Sequence, residues 1–454
     1  LPSRFREDFT LSTRVVLVRH GQSSYNIQQR IQGHCDNSVL TEKGLADALK
    51  VGAALSNLKF NAVYSSPLQR AKHTAEAIVS CLPNSPKPQP SANLMEINLP
   101  LWQEMLRSEV KEKFAEDYRI WKARPHELLM LIKTETGSSE HFPVLALCEQ
   151  AREFWQELLE RHPGETILIV AHNGINRALI STALGIPPAR YHSVQQSNCG
   201  ISVLNFAGGW GQPVQLESLN MTTHVGEVLP KPREGHRGAR LLLVRHGETE
   251  WNRQTRFQGQ IDVPLNDNGR AQSEKAAEFL KDVPIDFAVS SPMLRPKETG
   301  EIILKYHPNV KLETHVDLSE IRHGLWEGKL ESEIEQMFPG ELQRWRETPE
   351  VVQMPEGENL QQVWDRAIAA WQSIVASAGS QNGLVVAHDA TNKVLLCHIL
   401  GLGLSDFWKI KQGNCAVTAI DYPEGPDGAP VLQAMNITSH LGGGVLDKTA
   451  AGAL

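Results

Sequence analysis

This sequence contains no CxxC pair: its six cysteines, Cys35, Cys81, Cys148, Cys199, Cys397 and Cys415, are scattered singly along the chain. Their spacing argues against a zinc knuckle, a thiol redox motif or a disulfide framework, and fits buried free thiols in a reducing compartment. Long apolar runs are missing too. None approaches the roughly 20 residues that a membrane-spanning helix needs, and the opening LPSRFREDFTLS carries charges where a signal peptide has its apolar core. Nor is there a cationic excess. A net charge of −7 argues against non-specific binding to nucleic acid, which needs a cationic field to displace counterions. The phosphate loop GxxxxGK followed by Ser or Thr is absent, so nothing supports a nucleoside-triphosphate motor or kinase. The expectation is a cytoplasmic protein, or a stromal one if a transit peptide has been removed, with neither nucleic-acid nor membrane partners. The opening leucine fits an expression remnant, a processed terminus or an unassigned start, so residues 1–12 need not be native.

What is present is a repeat. A chain of 454 residues is too long for one hydrophobic core, and VLVRHGQSSYN at 16–26 is answered by LLVRHGETEWN at 242–252. The matches continue in order: RIQGHCDNSVLTEKG at 30–44 with RFQGQIDVPLNDNG at 256–269, and SSPLQRAKHTAE at 65–76 with SSPMLRPKETGE at 290–301. Then Leu94-Met95-Glu96-Ile97 pairs with Leu318-Ser319-Glu320-Ile321, IVAHNGINRALI at 169–180 with VVAHDATNKVLL at 385–396, and Asn198-Cys199 with Asn414-Cys415. A period above 200 residues means duplicated domains rather than solenoid units. The expected organisation is a domain at 13–225, a linker at 226–238 rich in Pro, Gly and charge, a second domain at 239–441, and a disordered tail at 442–454. Two such halves are compatible with an internal pseudo-dimer.

Within each half, short β-branched apolar runs alternate with helical patterns. Val15–Val18, Ala62–Tyr64 and Thr166–Ala171 read as strands, as do Leu241–Val244, Phe287–Val289 and Leu384–Ala387. Runs such as Ile167-Leu168-Ile169-Val170 are apolar throughout, which fits strands buried on both faces of a mainly parallel sheet. Helices are expected at Glu42–Ser56, Pro67–Cys81, Val144–Arg161 and Asn173–Leu184. The fold class is therefore α/β: two tandem three-layer α/β/α domains.

Ligands in such sheets sit beyond the carboxyl ends of the strands, and there the repeated polar residues collect. Arg19 and His20 follow the first strand, Arg70 follows SSP at 65–67, and His172 follows Thr166–Ala171; Arg245, His246, Arg295 and His388 repeat the pattern. A neutral imidazole is a nucleophile toward phosphorus. Paired arginines hold phosphate oxygens by charge-assisted hydrogen bonds, so an anionic ligand can bind despite the overall negative charge. Asn26, Gln32 and Gly33, with Asn252, Gln258 and Gly259, are placed to complete a cradle, since glycine lets backbone N–H groups approach an anion. Asn173 follows the second histidine, where the other copy has Asp389. Glu96 and its repeat Glu320 are the carboxylic acids available to protonate a leaving oxygen. Asn176 and Asn392 fit either a helix cap or a site role, whereas Asn220, Asn436, His224 and His440 read as strand-end structure; Trp121 and Trp345 are possible lid residues.

LVRHGQSSYN, SSPLQRAKHTAE, LMEI and IVAHNG, with their second-copy counterparts, resemble the histidine phosphatase (phosphoglycerate mutase-like) superfamily over roughly 13–224 and 239–441. The resemblance implies phosphorylated histidines at His20 and His246, phosphate pockets of Arg19, Arg70 and His172 or Arg245, Arg295 and His388, and proton donors Glu96 and Glu320. It also implies chemistry without metal or cofactor. The substrate class is a small phosphorylated metabolite, and the two-domain pattern looks most like a branch that clears sugar phosphates in photosynthetic organisms. Phosphatase activity on a sugar or sugar acid is expected, since the lids at 98–142 and 322–356 lack the paired arginines and proline run of the mutases. A phosphoglycerate mutase, or one catalytic domain beside a phospholigand-sensing one, are the alternatives. Departures are INLPLWQEM after Glu96, where the second copy keeps HGLWEG; His388-Asp389-Ala390 in place of His172-Asn173-Gly174; and Pro296 directly after Arg295, tolerable only in a helix's first turn.

Overall fold

The computed structural model describes residues 12–134 and 137–450, and the chain divides into two compact units, one mainly of residues up to Leu216 with Asn220–Glu227, the other mainly from Val228 onward. The termini at 1–11 and 451–454, on which part of the sequence reading falls, lie outside the described residues.

In the first unit the elements run β1 (Thr13–Arg19), α1 (Glu42–Leu55), β2 (Ala62–Ser65), α2 (Gln69–Ser80), β3 (Gln89–Pro90), lid helices α3 (Arg107–Lys113) and α4 (Ala115–Ala123), a hairpin β4 (Met130–Thr134) and β5 (Gly137–His141), α5 (Pro143–Arg161), β6 (Thr166–Ala171), α6 (Asn173–Leu184), β7 (Ile201–Phe206) and β8 (Val214–Met221). The sheet order is β8-β7-β1-β6-β2-β3. Strands β1, β6, β2 and β3 are parallel, and β7 pairs antiparallel with β1. Every residue of Ile167–Val170 is fully buried, because helices α1 with α2 and α5 with α6 pack as pairs around the sheet in a three-layer arrangement.

The second unit repeats this with β9 (Arg240–Arg245), α7 (Asp267–Leu280), β10 (Phe287–Ser290), α8 (Leu294–Ile303), β11 (Leu312–Thr314), lid helices α9 (Glu331–Met337) and α10 (Glu341–Glu347), α11 (Leu360–Ala378), β12 (Asn382–Ala387), α12 (Asp389–Leu400), β13 (Val417–Asp421) and β14 (Val431–Ile437). Its order is β11-β10-β12-β9-β13-β14, with β9, β12, β10 and β11 parallel and β13 antiparallel to β9. No hairpin stands between its lid helices and α11.

Local chemistry sets the ends of the helices. Thr41 Oγ accepts from Gly44 N to start α1, and Asn266 Oδ1 accepts from Gly269 N to start α7. Gly185 and Gly401 close α6 and α12 in the left-handed region at φ 81° and 73°. Pro296 is the third residue of α8, in its first turn, where no intrahelical N–H is lost. The loop after β1 presses against the start of α1 so closely that a Cβ on Gly21 would lie 2.3 Å from Gly44 O; Gly247 meets Gly269 O at 2.5 Å in the same way. That contact fixes the loops that follow both nucleophile candidates.

One expectation is corrected and one open alternative is narrowed. Residues 442–450, read as part of a disordered tail, carry no helix or strand but are tied down: Asp447 is almost wholly buried beside Lys411, 3.6 Å away, and Thr449 Oγ1 accepts from Asn414 N at 3.2 Å. Asn176 and Asn392 do not cap their helices. His172 and His388 occupy the N-cap positions in extended conformation, which places each asparagine a full turn inside. Among the described residues, no helix is long and apolar enough to cross a membrane.

Candidate functional site

Parallel strands in register end together, so the residues that follow them meet. Arg19 pairs with Ala171 across β1 and β6, and His20 N donates to Ala171 O at 2.9 Å. The rings of His20 and His172 are consequently edge to face, with centroids 5.1 Å apart. The second unit does the same through Arg245 and Ala387, bringing His246 and His388 to 5.2 Å.

The tautomer of each first histidine follows from one contact. His20 Nδ1 lies 2.7 Å from Gly21 O, and His246 Nδ1 lies 2.7 Å from Gly247 O. A carbonyl only accepts, so Nδ1 carries the proton and Nε2 presents its lone pair. Burial holds both rings well below the ordinary histidine range, and the neighbouring arginines push the same way. His172 and His388 are likewise held neutral, by burial first and then by Arg70 or Arg295.

The arginines are positioned by carbonyls. Arg70 enters in the first turn of α2 and donates from Nη1 to Cys35 O at 2.8 Å and from Nη2 to Gly33 O at 3.0 Å. Arg295 donates to Gly259 O at 2.7 Å and, through Nε, to His246 Nε2 at 3.2 Å. Arg19 Nη1 reaches Gln196 O at 2.8 Å, and Arg245 Nη1 reaches Gln412 O at 2.7 Å. What remains is a set of buried polar atoms without a protein partner: Arg19 Nε, Arg70 Nε and both ring nitrogens of His172 in the first unit, Arg245 Nε, Gln258 Nε2 and His388 Nδ1 in the second. Each such group costs about 1–3 kcal/mol when buried unpaired. Burial pushes Arg19 and Arg295 down to about 10. A cationic, desolvated cluster with spare donors matches a tetrahedral oxyanion.

Glu96 Oε1 accepts from Ile97 N at 2.8 Å, Gly174 N at 2.8 Å and Ile175 N at 3.3 Å, which fixes it at the N-terminus of α6 beside His172. The approach needs glycine: a Cβ on Gly174 would stand 2.4 Å from Glu96 Oε1 and 2.7 Å from the Tyr191 hydroxyl. The second unit has Ala390 there, and Glu320 meets Ala390 N and Thr391 N at 3.4 Å each. Glu320 is buried, and burial together with Asp389 raises its carboxyl above the usual range.

The remaining sequence candidates sit in the same shell in supporting places. Asn26 Oδ1 accepts from Ser23 N and Oγ, both at 3.0 Å, and Gln32 Oε1 from Ser23 Oγ at 3.2 Å. Asn252 and Gln258 repeat this with Thr249. Gly33 and Gly259 meet Arg70 and Arg295 through their carbonyls, where the sequence predicts a role for their N–H groups. Asn173 Nδ2 donates to Gln196 O at 3.3 Å. Asp389, its counterpart, lies 3.4 Å from Arg245 Nη1 and 2.7 Å from Lys393 Nζ.

Sequence reasoning gave no role to Asn198 and Asn414, although their recurrence was visible. Asn198 Nδ2 donates to His20 O at 2.9 Å and Asn26 Oδ1 at 3.2 Å; Asn414 repeats both contacts at 3.2 and 3.4 Å. Asn220 and His224 brace that loop through Ser197 N and Cys199 O. Ser291 Oγ meets His388 Nε2 at 2.8 Å. Trp345 is buried against Phe407 and Trp408, while the half-buried Trp121 stands against Trp102, Tyr191 and His192. Asn176 and Asn392 are buried with neither amide atom partnered. Among the described residues no cluster of three or more His, Cys, Asp or Glu side chains is arranged as a metal site.

Comparison with known proteins agrees with this arrangement. A wheat (Triticum aestivum) protein named 2-carboxy-D-arabinitol-1-phosphatase is 31% identical over 451 residues, covering 94% of this chain and 86% of the wheat protein. An Arabidopsis thaliana protein named "Probable 2-carboxy-D-arabinitol-1-phosphatase" is 31% identical over 459 residues, covering 97% of this chain and 91% of its own. Phosphoserine phosphatase 1 of Hydrogenobacter thermophilus is 32% identical over 203 residues, 45% of this chain and 94% of the bacterial one. The model of the histidine phosphatase superfamily (branch 1) matches residues 15–218 and again 241–438, so this chain belongs to that superfamily through both of its halves.

Proposed function

We propose that the chain is a phosphatase that hydrolyses a small phosphorylated sugar or sugar acid in two steps through a phosphohistidine. The observation that carries this reading is the His20 ring: Nδ1 is committed to Gly21 O, so Nε2 offers a lone pair beside Arg19, Arg70 and His172. In the first step Nε2 bonds to phosphorus while the ester P–O bond breaks in line. The bonding electrons leave with the substrate oxygen, which takes a proton from Glu96. Glu96 Oε1 is occupied by backbone N–H groups, which leaves Oε2 to deliver it. Arg19 and Arg70 neutralise charge on the phosphoryl oxygens, work that a metal ion performs in other phosphoryl transfers. In the second step the Glu96 carboxylate takes a proton from water, whose oxygen attacks phosphorus and releases Nε2. His246, Glu320, Arg245, Arg295 and His388 act likewise in the second half.

The substrate class rests on the two plant relatives that match across both halves, each named for 2-carboxy-D-arabinitol 1-phosphate. A phosphorylated sugar acid is the reading they favour over phosphoserine, whose namesake matches less than half of the chain. Phosphate release from an aryl phosphate, measured for the parent chain, His20→Ala, His246→Ala and the double variant, tests the chemistry. The double variant should be inactive and should trap no acid-labile phosphate; undiminished turnover in it would end the proposal. A screen including carboxyarabinitol 1-phosphate, xylulose bisphosphate and phosphoglycerates then ranks the substrates.

A further inference from the structure

The two pockets match in the residues that grip phosphate and differ in charge along one adjoining wall. In the first domain Arg177 lies one turn beyond Asn173 on α6, buried, with its guanidinium 5.6 Å over the Tyr191 ring and Nη2 3.3 Å from Gln195 Oε1. Its Nε has no protein partner. Asn173 Nδ2 and Arg19 Nη1 converge on the same Gln196 carbonyl, which ties the start of α6 to the phosphate-gripping arginine. The exposed Arg107 opens α3 in the lid. Burial depresses Arg19, Glu96 opposes this, and the charges of Arg177 and Arg107 push the same way as burial; Arg107 also acts on Arg177. Three cations therefore share one electrostatic neighbourhood.

In the second domain those wall positions read differently. Asn173 becomes Asp389, Arg177 becomes Lys393 and Arg107 becomes Glu331. Asp389 ion-pairs with both Arg245 and Lys393, and Lys393 Nζ is further occupied by the faces of Phe407 at 5.0 Å and Trp408 at 4.6 Å. Glu331 is held by Arg346 at 2.7 Å. At these three positions the first domain thus has two positive side chains and no negative one, and the second has one positive and two negative.

We propose that the first domain holds a second anionic group of its substrate, a carboxylate or a further phosphate, against Arg177 and Arg107, and that the second domain takes phosphate esters whose other end is uncharged. This deepens the phosphatase reading and rests on it. A buried guanidinium with a spare N–H gains most from an anion, because desolvation strengthens the contact it makes. Lys393 has no such capacity left, and a second anion in that pocket would face Asp389.

The test uses the full chain with one histidine removed at a time. Gluconate 6-phosphate and glucitol 6-phosphate differ only in carboxylate against hydroxymethyl; fructose 1,6-bisphosphate and fructose 6-phosphate differ only in the second phosphate. For the His246→Ala chain, kcat/KM should favour the anionic member of one pair by about tenfold or more, the value of one charge-assisted hydrogen bond. The pair that shows the preference says whether carboxylate or phosphate is held. The His20→Ala chain should show none. Arg177→Gln should cut the preference severalfold with Arg177→Lys retaining more of it, and Arg107→Gln, at an exposed position that leaves the core intact, should cut it too. Equal treatment of both members by the His246→Ala chain, a preference untouched by either Gln variant, or turnover of an aryl phosphate without any of the four sugar esters would overturn the subsite. No phosphate release from any ester, the aryl phosphate included, would instead overturn the phosphatase reading beneath it.

Discussion

Asp389 Oδ1 lies 3.4 Å from Arg245 Nη1 with both side chains buried, whereas the corresponding Asn173 is uncharged and donates its amide to Gln196 O, the carbonyl that Arg19 also binds. On the proposed reading, Arg245 would meet a phosphate already partly neutralised. In the His20→Ala chain, Asp389→Asn should tighten inhibition by inorganic phosphate or vanadate by roughly tenfold, the effect of removing about one pK unit's worth of competing charge contact. Lys393 loses its partner in the same step, so a lower unfolding temperature should accompany the gain. Asn173→Asp in the His246→Ala chain should weaken inhibition by a similar factor. Inhibition constants unchanged in both variants would show that the carboxylate does not compete for the arginine.

Stability should fall steeply below neutral pH, and the buried histidines set the sign. His20, His172, His224, His246, His323, His388 and His440 all have their pKa lowered, with burial the leading cause in each. Each is neutral in the folded chain and takes up a proton on unfolding once the pH drops below the unfolded value near 6.5. The stability they contribute is whole above that value and is lost as pH falls toward the folded value, about 4 for His440 and about 3 for His323. The slope per histidine is about 1.4 kcal/mol per pH unit. Denaturant unfolding between pH 7.5 and 5 checks this. His440→Gln, away from the phosphate pocket, should flatten the curve by about one proton's worth.

A cross-strand pair predicts unequal costs for two replacements of one residue. Arg240 and Asp421 face each other on β9 and β13 and form a buried two-point contact, Nε to Oδ1 at 2.7 Å and Nη2 to Oδ2 at 2.9 Å. The first domain uses Arg14 and Asn205 at the same register, with one contact at 3.1 Å. Asp421→Ala should destabilise by about 3–5 kcal/mol because it strands a buried guanidinium, and Asp421→Asn, which copies the first domain, should cost less. Chemical denaturation of the full chain measures the difference. Equal costs would mean that the carboxylate charge contributes nothing there.

The meeting of His20 with His172 was legible because it depends on short-range rules. His20 and His172 each follow an apolar run read as a strand, and parallel strands in register bring such residues to one edge whatever the rest of the chain does. Asp389 was legible as an oddity, and its resolution was present too: Lys393 stands four residues on, one helical turn away. Other features depended on tertiary placement. Arg177 reads as an ordinary helical arginine until Tyr191 and Gln195 are seen to bury it. Sequence leaves Asn176 open between a cap and a site role because the boundary turns on the extended conformation of His172, which sequence does not reveal. The β4–β5 hairpin has only partial alternation, and its second strand, Gly137–His141, is mostly exposed, so no apolar pattern announces it.

The sharpest difference between the two halves that a single atom can test is the Cβ beside the carboxylic acid. Glu96 Oε1 sits 2.8 Å from Gly174 N because nothing projects from that residue, and an added Cβ would stand 2.4 Å from the oxygen. The second domain carries that Cβ as Ala390, and its Glu320 contacts to the helix start lengthen to 3.4 Å. Gly174→Ala should therefore push Glu96 off the helix N-terminus while leaving the His20 tautomer and the arginines in place. Proton delivery to the leaving oxygen depends on sub-ångström placement, so kcat in the His246→Ala chain should fall by about 10- to 100-fold. The loss should shrink for an aryl phosphate with a good leaving group, which needs little protonation, and grow for an alkyl ester. A uniform loss across leaving groups, with phosphate inhibition unchanged to show an intact pocket, would remove Glu96 from the role of proton donor.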